Sequence, residues 1–131
     1  MIAVSQPKIL VIGVDPSTLD PVERGVTPEQ NATVQAAIAE SERGFLEAGY
    51  DINMCLIALD ADLEAVLVPQ IQAKSWDVVV IGGGIRKPSE LLDLFEQVTN
   101  AVHRHAPQAA IAFNTKPTDC LEAARRWVRA T

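Results

Sequence analysis

The sequence predicts one α/β domain over residues 1–131, built on a three-layer, flavodoxin-like or Rossmann-like fold with a parallel sheet of four strands and helices on both faces. Three observations lead to this prediction. The chain has 131 residues, 48% of them hydrophobic and 21% charged, which suits one domain with one core. Four apolar runs lack the alternation of a half-solvated strand. Segments with helical periodicity separate these runs, as right-handed βαβ crossovers require.

The four apolar runs are the predicted strands. They cover residues 8–14, 50–59, 76–81 and 109–113. We expect them in the order 2-1-3-4, which is the flavodoxin-like arrangement. A fifth strand is expected if residues 1–5 pair at an edge, and the exposed edges of so small a sheet favour a homodimer.

The first helix is predicted from its terminal residues. Thr27 is suited to the N-cap, Pro28 to the first turn and Gln30 to the third position of a capping box. Gly49 is suited to end the helix in a left-handed conformation. A helical stripe of core residues is expected at Val34, Ala37, Ile38 and Phe45.

Three further helical segments follow. Residues 61–74 have a helical apolar face that Pro69 interrupts, so a kinked or divided helix is expected there. The next helix has Pro107 just past its end. Its apolar stripe consists of Leu91, Phe95, Val98 and Val102. A last helix is expected over residues 119–129.

Charge and cysteine content limit the partners and the location of the protein. Eleven basic and seventeen acidic residues give a formal net charge of −6, which disfavours binding to nucleic acid or to an anionic membrane surface. The chain shows neither a secretory signal nor an apolar run long enough to span a membrane, so a cytoplasmic location is expected. The two cysteines, Cys55 and Cys120, lack metal-binding spacing. Both are interpreted as reduced packing residues, with a reactive thiol as the alternative.

The predicted ligand site lies beyond the carboxyl ends of the first and third strands, where the strand order reverses. Successive glycines after the third strand allow backbone N–H groups to converge on an anion, and Arg86 could clamp that anion. The alternative is a plain tight turn with Arg86 in solvent. The candidate residues for binding a small anionic ligand are Gly13, Asp15, Gly82, Gly83, Gly84, Arg86, Asn114, Thr115 and Lys116.

The sequence matches no familiar cofactor motif. The glycine stretch fits neither GxGxxG nor a phosphate-binding loop, so ATP and NAD are not supported, and the loop 15–25 lacks the residues of an FMN cradle. That loop is interpreted either as a lid or binding loop, or as an irregular cover or dimer contact. Asp15 is interpreted either as a catalytic acid or as a turn-forming residue. His103 and His105 lie two apart on a helix and cannot share a metal ion there. No metal site is predicted, and whether the protein is an enzyme stays open.

From residue 77 onward the chain resembles response-regulator receiver domains. The segment 77–81 is similar to their third strand, and residues 116–117 are similar to their Lys-Pro step. Receivers have a phosphoacceptor aspartate directly after that strand, where this chain has Gly82. They also have paired acids after the first strand, where Asp15 stands alone. The resemblance therefore implies a receiver-like scaffold without phosphotransfer.

A second resemblance covers most of the chain. Residues 81–86, 103–107 and 113–119 are similar to segments of a group of short, uncharacterised bacterial α/β proteins. This resemblance implies the same single domain and no particular activity. Two functions therefore stay open. One is the binding of a small anionic ligand at the carboxyl edge of the sheet, and the other is a non-catalytic, receiver-like regulatory or interaction module that acts as a dimer.

Overall fold

The sheet has the predicted strand order. The computed structural model describes residues 6–15 and 27–128, and its four parallel strands form one sheet in the order β2-β1-β3-β4. The strands are β1 (Lys8–Val14), β2 (Asp51–Ile57), β3 (Val78–Ile81) and β4 (Ala110–Phe113). With its helices, this sheet is consistent with a three-layer α/β fold. The fifth strand predicted at residues 1–5 lies outside the described residues, as does most of the 15–25 loop.

Six α-helices are present in the described part of the chain. They are α1 (Pro28–Glu47), α2 (Leu63–Val66), α3 (Val68–Gln72), α4 (Gly83–Arg86), α5 (Leu92–His105) and α6 (Cys120–Arg125). Short 3-10 turns at Ser89–Leu91 and Pro117–Asp119 precede α5 and α6. Among the described residues, no helix has both the length and the apolar character needed to cross a membrane.

Helix α1 begins and ends as predicted. The Gln30 backbone N–H donates to the Thr27 hydroxyl at 3.0 Å, and the Thr27 N–H donates to the Gln30 side chain at 2.8 Å, which completes a capping box. Gly49, just past the helix end, has a φ of 84°, which a residue with a side chain rarely adopts. The predicted core stripe is only partly confirmed, since Phe45 is fully buried but Val34 is exposed.

Prolines set the boundaries of the middle helices. Pro69 divides the second helical segment as predicted: α2 ends at Val66, and Pro69 lies in the first turn of α3, where a missing N–H is tolerated. In α5 the predicted stripe buries Val98 and Val102 completely, and Pro107 follows the helix end. These boundaries follow from local backbone chemistry.

Two predicted boundaries are wrong. The sequence predicts no helix within the glycine stretch after β3, but the chain enters helix α4 at Gly83, with Gly82 as its N-cap. Glycine tolerates both a helical and a non-helical backbone conformation, so the sequence does not distinguish a helix start from a turn here. The last helix was expected to reach residue 129, whereas α6 ends at Arg125.

The core consists of two clusters that hold alternate residues of β1 and β3. The first contains Leu10, Ile12, Val79 and Ile81 together with Val98 and Val102 of α5. The second contains Ile9, Val11, Val78 and Val80 together with Phe45 of α1 and Ala123 of α6. Successive side chains of a strand point to opposite faces of the sheet. The continuous apolar runs of β1 and β3 are therefore explained by burial of both faces of these strands.

Candidate functional site

A pocket lies at the carboxyl edge of the sheet, where β1 lies between β2 and β3. Its volume is about 100 Å³. Its apolar side includes Gly13 and Val14 of β1, Met54 and Leu56 of β2, and Val34 and Ile38 of α1. Val34 of the predicted core stripe is thus part of a pocket wall. The position of the pocket is the switch point at which open α/β sheets bind their ligands.

The rest of the lining comes from the glycine stretch, from residues that follow β4 and from Ser41 of α1. These residues are Gly82, Gly83, Gly84, Ser41, Asn114 and Cys120. The Gly82 N–H donates to the Ile12 carbonyl at 2.8 Å, and a Cβ atom at Gly82 would lie only 3.2 Å from that oxygen. A side chain at Gly82 would therefore force β1 and the start of α4 apart.

Asn114 connects the glycine stretch to the loop after β4. Its side chain is only 5% exposed. Its Oδ1 accepts a hydrogen bond from the Gly83 N–H at 2.9 Å, and a longer one from Arg86 at 3.3 Å. Its Nδ2 donates to the Lys116 carbonyl at 3.0 Å and to the Cys120 Sγ at 3.1 Å. The amide is therefore fully used within the protein.

Arg86, the predicted anion clamp, is hydrogen-bonded to backbone carbonyls of the protein. Its Nε donates to the Ile81 carbonyl at 3.1 Å, and its guanidinium also donates to the Asn114 carbonyl. The guanidinium lies 5.2 Å from the centre of the Phe113 ring, a cation–π distance. Arg86 does not line the pocket. These bonds hold the guanidinium against the residues at the end of β4 and away from the pocket lining.

Thr115 and Lys116 also lie outside the pocket lining. Their backbone N–H groups donate to Asp119 Oδ1 at 3.0 and 3.1 Å, and the Thr115 hydroxyl donates to the same carboxylate. The Thr115 carbonyl accepts from the Lys87 ammonium. These bonds order the turn that leads into α6. The two residues therefore shape one wall of the site without facing the pocket.

Asp119 is expected to make stability depend on pH. Partial burial alone would raise the pKa of its carboxyl, but the hydrogen bonds from Thr115 and Lys116 outweigh this, so the pKa lies below its usual value. A carboxyl with a lowered folded-state pKa stabilises the protein above its unfolded-state pKa, and this contribution is lost as the pH falls through the folded-state value. Asp119→Asn should thus destabilise the protein by about 1 kcal/mol at pH 7.

Urea unfolding of the wild type and of Asp119→Asn, measured from pH 7 downward, tests this prediction. The difference between the two proteins should shrink below about pH 4, near the pKa of an unperturbed aspartate. The exposed Asp60 offers a matched control, because Asp60→Asn should change stability little at any of these pH values. If the difference in unfolding free energy between the wild type and Asp119→Asn persists unchanged to pH 3, the Asp119 carboxylate does not stabilise the protein in the way described.

Asp15 lies beside the pocket. Its backbone N–H donates to the Ile57 carbonyl at 2.8 Å, and its side chain lines an adjoining depression with Gln35 and Glu42. Ile38, Met54 and Leu56 separate the two spaces, since they line both. The depression thus contains two acidic side chains beside residues that also line the apolar pocket. It offers no cationic group to an anion among the described residues.

The structure therefore brings together some of the predicted site residues and not others. Gly13, Gly82, Gly83, Gly84 and Asn114 line one pocket. Asp15 adjoins this pocket, while Arg86, Thr115 and Lys116 do not line it. Ser41 of α1 also lines the pocket and was not predicted as a site residue. Its signal was a serine in the helical series 34, 38, 41 and 45, whose other members are apolar.

The two cysteines are both buried thiols. Burial raises the pKa of the Cys55 thiol, and it also raises the pKa of the Cys120 thiol despite opposing interactions with the Ser41 and Asn114 side chains. Both thiols are therefore protonated at neutral pH and poor nucleophiles. Within residues 6–15 and 27–128, no group of three or more His, Cys, Asp or Glu side chains is placed to hold a metal ion.

Comparisons of the chain with protein-family models, with curated proteins and with solved structures find no match.

Proposed function

We propose that this protein binds a small, mainly apolar molecule in the pocket at the carboxyl edge of β1 and β3. The observation that carries this proposal is an aliphatic and glycine lining at the switch point of the sheet. A volume of about 100 Å³ is comparable with cavities that accept small hydrocarbons, so it suits roughly four to six carbon atoms. Burial of such a group removes apolar surface from water on both sides.

The chemistry of the site favours a neutral ligand over the anionic one predicted from the sequence. The lining contains no cationic side chain among the described residues. Arg86 and Lys87, the nearest candidates, donate to the carbonyls of Asn114 and Thr115. A buried anion without a partner is strongly unfavourable. Asp15 and Glu42 in the adjoining depression would add repulsion.

Titration of the protein with 2-pentanone, followed by ¹H–¹⁵N NMR, tests the proposal. This probe is neutral and has about the volume that the pocket accepts. We expect saturable shifts of the amides of Gly82, Gly83 and Gly84. Val34→Phe should weaken binding at least about tenfold, because Val34 lines the pocket and a larger ring there would occupy part of it.

Leu46→Phe is the matched control for this experiment. Leu46 lies on the same helix, is 59% exposed and does not line the pocket, so its replacement should leave the affinity unchanged. The proposal is wrong if 2-pentanone causes no saturable shift, or if the two variants bind it equally.

A second candidate is the interaction module, and the edges of the sheet favour it. In the described part of the chain, β2 and β4 each pair with one strand only, and Phe113 at the end of β4 is exposed. Unpaired edges are sites of strand addition between chains. A protein that fails to bind 2-pentanone and sediments as a dimer would favour this candidate.

A further inference from the structure

We infer that the Ser41 hydroxyl is the polar contact that selects the ligand of this pocket, and that the buried end of the ligand carries a neutral hydrogen-bond acceptor such as a carbonyl oxygen. This inference rests on the proposed function, because it assigns the chemistry of the same pocket. It goes further because it names Ser41 as the hydrogen-bond donor of the protein and a neutral carbonyl as the acceptor of the ligand.

The Ser41 side chain is buried, and its hydroxyl makes no hydrogen bond of normal distance and angle to the described residues, although it interacts with the Cys120 thiol. Ser41 is 7% exposed and lines the pocket. A buried hydroxyl without a partner is unfavourable for folding. A ligand that supplies the missing partner would offset this penalty.

The other helical hydroxyls of the chain show that Ser41 is different. Serine and threonine in a helix commonly donate to the carbonyl four residues earlier. Thr33, in the same helix, donates in this way to the Glu29 carbonyl at 2.9 Å, and Thr99 in α5 donates to the Phe95 carbonyl at 2.8 Å. Ser41 makes no such bond. Its hydroxyl is therefore available to a molecule in the pocket.

The second buried polar side chain of the described residues cannot take this role. Asn114 uses its oxygen for Gly83 and Arg86, and its nitrogen for Lys116 and Cys120. A ligand that bonded to Asn114 would have to displace one of these partners. A ligand that bonded to Ser41 would disturb only its contact with the Cys120 thiol, which is a weak hydrogen-bonding group.

The residues that line the pocket also determine which charge the acceptor group of the ligand should carry. A hydroxyl donates readily to a carbonyl oxygen without any change of charge. A carboxylate would also accept this bond, but it would bring a negative charge into a lining that has no cation among the described residues. A neutral carbonyl compound should therefore bind more tightly than a carboxylate of the same size.

The experiment compares 2-pentanone with butanoate, which has the same number of non-hydrogen atoms, on the wild type and on Ser41→Ala. In the wild type we expect 2-pentanone to bind at least tenfold more tightly than butanoate. Ser41→Ala should weaken 2-pentanone binding about five- to tenfold, the effect of one lost hydrogen bond. Thr33→Ala is the control, because that hydroxyl already has a partner. It should leave the affinity unchanged.

Thermal unfolding without ligand supplies an independent readout. Ser41→Ala should raise the melting temperature, because it removes an unsatisfied buried hydroxyl and introduces a better helix former. A more stable variant that binds more weakly is the expected signature. A lower melting temperature would show that the hydroxyl is already bonded within the protein, and would overturn the inference.

The outcomes separate this inference from the proposed function. Equal binding of 2-pentanone by the wild type and Ser41→Ala would overturn the inference and leave the proposed function standing. Tighter binding of butanoate than of 2-pentanone would also overturn it, and would restore the anionic ligand predicted from the sequence. Failure of both probes to bind the wild type would overturn both.

Discussion

Replacement of Trp76 by alanine is expected to lower the free energy of unfolding by about 4 kcal/mol. Trp76 is 1% exposed and belongs to the first core cluster. Its indole N–H donates to the Gln70 carbonyl at 3.1 Å, and the Lys74 ammonium lies 5.5 Å from the centre of its ring. Truncation would leave a large cavity and would also remove one of the two donors to the Gln70 carbonyl, which keeps the Ala73 N–H. Denaturation by guanidinium chloride, followed by circular dichroism, measures this loss.

The second tryptophan of the chain is a natural control for this measurement. Trp127 is 54% exposed, so Trp127→Ala should change stability by less than about 1 kcal/mol. Trp76→Phe should give a loss smaller than that of Trp76→Ala, because it retains much of the apolar volume but loses the hydrogen bond. Equal losses for Trp76→Ala and Trp127→Ala would contradict the packing described here.

Asn114→Ala is expected to lower the free energy of unfolding by about 3 kcal/mol. The substitution leaves the Gly83 N–H without its partner, and an unsatisfied group of this kind costs about 1–3 kcal/mol. It also removes one of the two donors to the Lys116 carbonyl, which keeps the Asp119 N–H. It also removes one acceptor of the Arg86 guanidinium. The loss should appear in the same denaturation experiment, and it should be accompanied by shifts of the NMR signals of the glycine stretch.

Asn100 provides the comparison for Asn114. Its side chain is exposed on α5 and donates to the Glu96 carbonyl at 2.9 Å. Asn100→Ala should change stability by no more than about 0.5 kcal/mol, since alanine favours the helix and the exposed carbonyl can bond to water. If Asn114→Ala is as mild as Asn100→Ala, the hydrogen bonds of Asn114 do not hold the site together.

Elements that depend on neighbouring residues in the sequence were predictable. Thr27 and Gln30 form their capping box within one helical turn, Gly49 adopts its left-handed conformation, and Pro69 divides a helix at its own position. The strand order was also predictable, because four apolar runs joined by helical segments leave few arrangements of a parallel sheet.

The roles of the polar residues were less predictable, because their partners lie far away in the sequence. Arg86 followed a glycine stretch that is typical of an anion site, yet its guanidinium donates to the carbonyl of Asn114, 28 positions further on. The contact depends on the place of β4 beside β3. A sequence pattern shows which groups can bind an anion, but it does not show which of them the protein already uses.

The sequence by itself determined the parallel α/β sheet, its strand order and most helix boundaries, because these follow from hydrophobic periodicity and from local backbone chemistry. It also marked one apolar stripe on α1 that includes Val34 and Phe45. Only the tertiary structure decided that the Phe45 end of this stripe enters the core, while Val34 and Ser41 line a pocket. The reason is geometric. The stripe runs past the carboxyl ends of β1 and β2, and whether a side chain there meets core or open space depends on how far the facing strands extend.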